Sequence, residues 1–71
     1  MTSKKIKITG EFIKLDALLK FSNLVSSGGE AKLAITNGMV FVNGEICLMR
    51  GKKIHPGDTV IFQNTTVEVS Q

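Results

Sequence analysis

The Asn43-Gly44 pair lies between two apolar runs, Met39-Val40-Phe41-Val42 and Glu45-Ile46-Cys47-Leu48-Met49, and commits the middle of the chain to a β-hairpin. Both central residues of a type I′ turn need positive φ, which asparagine tolerates and glycine adopts freely, so Asn-Gly between two such runs is the strongest short-range hairpin signal. The remaining elements must be arranged around that hairpin.

Upstream the period changes from two to 3.6. Leu15, Leu18 and Leu19 fall at i, i+3 and i+4 with Asp16 and Lys20 on the opposite side, which predicts an amphipathic helix from about Lys14 to Ser22. Ser27-Gly28-Gly29-Glu30 has the form of a capping box. In it the Ser27 hydroxyl accepts the Glu30 amide and the Glu30 carboxylate returns to the Ser27 amide. It opens a second helix whose stripe is Ala31, Ala34 and Ile35, small enough to pack closely on the first. Asn37-Gly38 then supplies the left-handed residue that ends a helix, so the two Asn-Gly pairs have different jobs.

Ile6-Lys7-Ile8 alternates as a short strand before Gly10 breaks it. Downstream, Arg50-Gly51-Lys52-Lys53 is a basic loop, His55-Pro56-Gly57-Asp58 a turn, and Thr59–Phe62 and Thr66–Val69 are further strands. The expected fold class is α+β: two short packed helices against a small, mainly antiparallel β-sheet. Seventy-one residues allow a single domain, taken as 1–71, with a thin stability margin.

The only cysteine, Cys47, has no intrachain partner and sits in an apolar run, which fits a reduced, cytoplasmic setting. The N-terminal Met1-Thr2-Ser3-Lys4-Lys5 is followed by alternation rather than an apolar block, and no apolar stretch approaches membrane-spanning length, so neither export nor a membrane partner is expected. Asn64-Thr65-Thr66 matches a glycosylation pattern that has no meaning without a secretory context.

The formal charge is +3, a value compatible with an ordinary soluble surface and with a polyanionic partner. Its distribution says more than its total. Lys14 at the start of the first helix, Lys32 one turn into the second, and Arg50, Lys52 and Lys53 in the loop are the candidate contacts. Lys20 is weaker because Asp16 precedes it by four residues and the pair reads as a solvated helix face. Lys4, Lys5 and Lys7 rank lower because charge on a first strand also guards an edge against aggregation. Gly28 and Gly29 leave amide hydrogens bare at the positive end of the second helix, where a phosphate could approach. The opposing reading is that Glu30 already occupies that end.

Little in the chain suggests catalysis. Cys47 and His55 are the only residues of their kinds, read as a core residue and a turn residue, and they cannot hold zinc without carboxylate help. No cofactor, metal or catalytic residue is expected. The aromatics are Phe12, Phe21, Phe41 and Phe62, each among apolar neighbours, so most are assigned to the core. A reader of single strands by base stacking is therefore not expected. The contact would run through backbone charge and shape, which suits a folded RNA.

The stretch KLDALLKFSNLVSSGGEAKLAITNGMVFVNGE resembles the αL RNA-binding module first described in ribosomal protein S-four of the small subunit. The match runs through Lys14-Leu15-Asp16, Leu24, Ser27, Ala31-Lys32, Ile35, Gly38, Val40 and Val42-Asn43-Gly44, then Arg50, Lys53-Ile54 and Gly57-Asp58-Thr59-Val60. Where many members place an arginine after the second-helix serine, this chain has Gly28, and its Gly-Gly-Glu-Ala-Lys version is similar to a subgroup of short stand-alone bacterial proteins. The resemblance implies RNA contacts at Lys14, Lys32, Arg50, Lys52 and Lys53, and core positions at Leu15, Leu18, Leu19, Ala31, Ile35, Val40 and Val42.

The expected function is a non-catalytic, monomeric RNA-binding domain whose partner is ribosomal or transfer RNA, the ribosome or its precursor. Three rivals stay open: a protein-interaction module using Leu33, Met39 or Met49, a small Cys47-dependent enzyme, and a double-stranded DNA binder.

Overall fold

The hairpin forms at the predicted turn. In a computed structural model, which describes residues 2–71, Asn43 has φ 52° and Gly44 φ 87°. Val42 lies opposite Glu45 across the two-residue loop, as a type I′ turn requires. Met1 of the expected 1–71 domain lies outside the described residues.

The elements run β1 (Thr2–Lys7), β2 (Ile13–Lys14), α1 (Leu15–Phe21), α2 (Gly28–Thr36), β3 (Val40–Val42), β4 (Glu45–Ile46), β5 (Lys53–Ile54), β6 (Thr59–Phe62) and β7 (Thr65–Ser70). Five strands form a mixed sheet in the order β1-β7-β6-β3-β4. Only the β1–β7 pair is parallel within it, with Thr2 opposite Thr65 and Lys7 opposite Ser70. A separate two-stranded antiparallel ladder joins β2 to β5.

Strand alternation sends Val40, Val42, Val60, Phe62, Val67 and Val69 inward to meet Leu15, Leu18, Leu19, Ala31, Ala34 and Ile35 from the helices. The seven core positions that the resemblance implied, Leu15, Leu18, Leu19, Ala31, Ile35, Val40 and Val42, are all buried. Each helix ends in a Schellman motif. At α2, Gly38 has φ 73°, its amide donates to Ile35, and the Met39 amide donates to Ala34. At α1, Asn23 takes the left-handed position at φ 63°, with its amide on Lys20 and that of Leu24 on Leu19. Asparagine substitutes for glycine there because its short polar side chain tolerates αL.

Four differences from the sequence reading have physical causes. The first strand begins at Thr2, since its hydrogen bonds come from the C-terminal strand β7 and no local pattern reports them. The hairpin's second strand ends at Ile46, leaving Leu48 and Met49 in an exposed loop, although the Cys47 amide still reaches the Val40 carbonyl at 3.0 Å. Of the four phenylalanines only Phe62 is buried; Phe12, Phe21 and Phe41 are 38%, 62% and 37% exposed. Phe41 is the outward residue between Val40 and Val42, and Phe21 lies off the Leu15-Leu18-Leu19 stripe. Finally, the capping box is half formed. Ser27 Oγ accepts the Glu30 amide at 3.2 Å, but the Glu30 carboxylate accepts the Ser26 hydroxyl at 3.0 Å.

Candidate nucleic-acid interface

The two-residue ladder between β2 and β5 does for the basic residues what sequence distance hides. Ile13 pairs with Ile54, which is fully buried, and Lys14 pairs with Lys53, which points outward. Side chains opposite each other on one face of an antiparallel pair have Cβ atoms about 4.5–5.5 Å apart, and like charges placed so repel. The ladder thus sets two lysines on one exposed face.

The basic loop is fixed to the same corner by its backbone. Lys14, the N-cap of α1, offers no side-chain cap, so the first amides of the helix need other acceptors. The Leu15 amide donates to the Lys52 carbonyl at 2.9 Å, and the Asp16 amide to the Arg50 carbonyl at 3.1 Å. Lys14, Arg50, Lys52 and Lys53 therefore share one rigidly tied region around the start of α1. Lys53 Nζ lies 4.9 Å from the centroid of the Phe12 ring, and that ring is 6.1 Å from the His55 ring.

Among the described residues, the one contact of salt-bridge length joins His55 Nδ1 to Asp58 Oδ2 at 3.9 Å, so none of the candidate cations has a carboxylate within that distance. The expected Asp16–Lys20 pair does not form; the Asp16 carboxylate instead accepts the Ala17 amide at 2.7 Å. Lys4 supports the fold directly. Its Nζ donates to the Ser22 carbonyl at 2.8 Å, placing a cation at the negative end of α1. Lys5 and Lys7 lie on β1, an edge strand of the sheet.

At the start of α2, Gly28 and Gly29 open the helix and Lys32 is exposed one turn on. A Cβ added at Gly28 meets nothing within 4 Å, and one at Gly29 only Ser27 Oγ at 3.9 Å. The fold has room for side chains here and omits them, although glycine in a helix costs about 0.5–1 kcal/mol relative to alanine. The double substitution Gly28→Ala/Gly29→Ala is expected to raise stability by up to about 2 kcal/mol in urea unfolding while weakening RNA retention on filters. Unchanged retention would remove these glycines from the interface.

The far side of the ladder is anchored by Asp58. Its carboxylate accepts the His55 amide at 2.8 Å and the Asn43 side chain at 3.1 Å, while Asn43 Oδ1 accepts the Thr59 amide at 2.9 Å. The hairpin tip and the Pro56-Gly57 turn, where Gly57 has φ 97°, are thereby locked together next to β5. The His55 amide hydrogen bond, with smaller help from Asn43, the His55 ring and Lys52, holds the Asp58 carboxyl below its ordinary value against the opposing effect of burial. Stability from this group is present above the unfolded value, near pH 4, and is lost as pH falls through the lower folded value. The urea midpoint of wild type should exceed that of Asp58→Asn near about pH 5, and the two should converge as pH falls below about 4.

Cys47 and His55 have different partners: the thiol donates to the Met49 carbonyl at 3.6 Å, and His55 faces Asp58 and Phe12. Among the described residues, no group of three or more His, Cys, Asp or Glu is placed to hold a metal, and no helix is long and apolar enough to cross a membrane. Leu33, Met39 and Met49 are exposed as the protein-interaction reading supposed. Sequence reasoning missed the β2–β5 ladder, since two-residue strands leave no periodicity, and it missed the exposed Phe12 beside Lys53.

Residues 6–70 match the model of the S4 domain. The "Probable ribosome maturation protein RlbA" of Bacillus subtilis is 40% identical over 55 residues, covering 78% of each chain. YbcJ of Escherichia coli is 39% identical over 57 residues, covering 80% of this chain and 81% of that one. The solution structure of YbcJ, described as revealing an αL motif involved in RNA binding, aligns at a TM-score of 0.68 with 32% identity. The alignment spans 100% of this chain and 89% of YbcJ.

Proposed function

The chain belongs to the S4 domain family, and on that basis we propose that it is a non-catalytic RNA-binding domain that grips a structured RNA through the α1–α2 pair and the basic loop after the hairpin. The observation that carries this reading is the Lys14–Lys53 pair, held on a backbone ladder beside Arg50 and Lys52 with no carboxylate within salt-bridge distance among the described residues. Phosphate contacts of this kind position a protein on a nucleic acid by charge and shape. Lys32, with Gly28 and Gly29, extends the contact along α2.

The partner is ribosomal or transfer RNA, met on the ribosome or its precursor by a cytoplasmic monomer. The ribosome maturation role named for the Bacillus subtilis relative supports the ribosomal setting. Filter binding with transfer RNA and with a ribosomal RNA fragment tests it. Five cation–phosphate contacts should lower affinity on the order of a hundredfold between about 50 and about 200 mM salt. A flat salt response, or equal affinity for blunt duplex DNA, would contradict the proposal.

A second reading is a ribosome-associated protein contact. It is favoured by the exposed Ile46, Leu48 and Met49 around a cavity of about 380 Å³ on the hairpin side. A pulled-down protein partner that survives nuclease treatment would support it.

A further inference from the structure

The phenylalanines that the core leaves out are not scattered. Phe12, from the loop before β2, and Phe21, the last residue of α1, line one open recess of about 280 Å³ together with Lys7, Ile8, Thr9, Gly10 and Ile13. Its volume falls just below the range of pockets that enclose a drug-sized molecule, and it suits one planar ring. Its floor is apolar through Ile8 and Ile13, both packed on the core, and its walls are aromatic.

Charge decides what kind of ring. Lys7 is part of the lining, Lys53 Nζ sits 4.9 Å from the centroid of Phe12, and Lys14 follows Ile13 in the chain and pairs with Lys53 across the ladder. Glu11 is the one acidic residue in the loop from Ile8 to Ile13. An apolar slot with Lys7 in its lining and the Lys14–Lys53 ladder beside Phe12 and Ile13 matches a base whose own phosphates lie a few ångströms away. It does not match the apolar side chain of an acidic or neutral peptide as well, since such a segment leaves those cations without partners.

Resting on the RNA-binding reading above, we infer that the recess between Phe12 and Phe21 receives one unpaired nucleobase, extruded from a loop or bulge of the bound RNA. The ladder lysines hold the flanking phosphates. Aromatic stacking is tolerant of base identity, so the recess selects for an unpaired nucleotide and not for a sequence. The domain thereby distinguishes a folded RNA with a loop from a plain duplex, which charge alone does not do.

The test compares a short RNA stem-loop with the blunt duplex of the same stem. Phe12→Ala should lower stem-loop affinity about 5- to 150-fold, the range for loss of one stacked base, and leave duplex affinity and both salt slopes unchanged. Phe12→Leu, which keeps the apolar bulk and protects the fold, should do the same, and Phe21→Ala should follow in the same direction. The chain has no Trp or Tyr, so Phe12→Trp installs a lone fluorophore in the recess. Its emission should be quenched by the stem-loop and not by the duplex. Stem-loop affinity untouched in Phe12→Ala and Phe12→Leu, or equal quenching by both RNAs, would overturn the inference while leaving the RNA-binding reading standing. Failure of the wild type to bind either RNA would overturn both.

Discussion

Replacing Lys14 and Lys53 together by glutamine is expected to weaken binding to structured RNA on the order of tenfold per lost contact at about 150 mM salt. It should also make the salt dependence shallower by about two units of log–log slope. The reasoning is geometric. The two lysines occupy paired positions on β2 and β5, so a phosphate backbone docked on that face would meet both. Glutamine is one atom shorter than lysine; it keeps a hydrogen-bond donor and removes the charge. The same substitution relieves a like-charge pair and should leave folding stability unchanged or slightly raised. A stability gain combined with an affinity loss would separate a functional role from a structural one. A loss of affinity with no change of salt slope would mean that the lysines act through the fold and not through phosphates.

Leu19→Ala is expected to cost about 2–5 kcal/mol, the usual loss on truncating a fully buried leucine. A 71-residue domain has about 4–11 kcal/mol in all, so this one change removes a large share of its margin. Leu19 contributes more than its side chain. Its carbonyl accepts the Leu24 amide at 3.0 Å and the Ser22 hydroxyl at 3.3 Å, so the turn between the helices is organised at the same residue. Urea unfolding followed by circular dichroism should show a midpoint shift of that size with the slope retained. A loss under about 1 kcal/mol would contradict the full burial of Leu19.

How much of this was legible in the sequence depended on whether a feature was local. Leu15, Leu18 and Leu19, the Ser27 cap, the Asn37-Gly38 stop and the Asn43-Gly44 hairpin each follow from residues within a few positions of one another, and each is found where expected. The parallel pairing of β1 with β7 joins the two ends of the chain, and only a tertiary contact creates it. Phe12, Phe21 and Phe41 read as core because hydrophobicity was counted without direction. Alternation around Phe41 and the angular position of Phe21 on α1 were in the sequence and pointed outward. The candidate site divides along the same line. The basic residues were visible one by one, but the ladder that sets Lys14 against Lys53 spans residues 14 to 53 and leaves no local trace. Lys4 shows the converse, a lysine whose position at the end of α1 gives it a structural partner that charge counting does not reveal.

Crosslinking in living cells followed by sequencing of the attached RNA, with the wild type and the Lys14→Gln/Lys53→Gln variant compared side by side, tests the RNA-binding proposal most directly. Reads concentrated on structured regions of ribosomal or transfer RNA, and depleted in the variant, are the predicted result. RNA recovery no greater for the wild type than for the variant, together with a protein partner that survives nuclease, would contradict it.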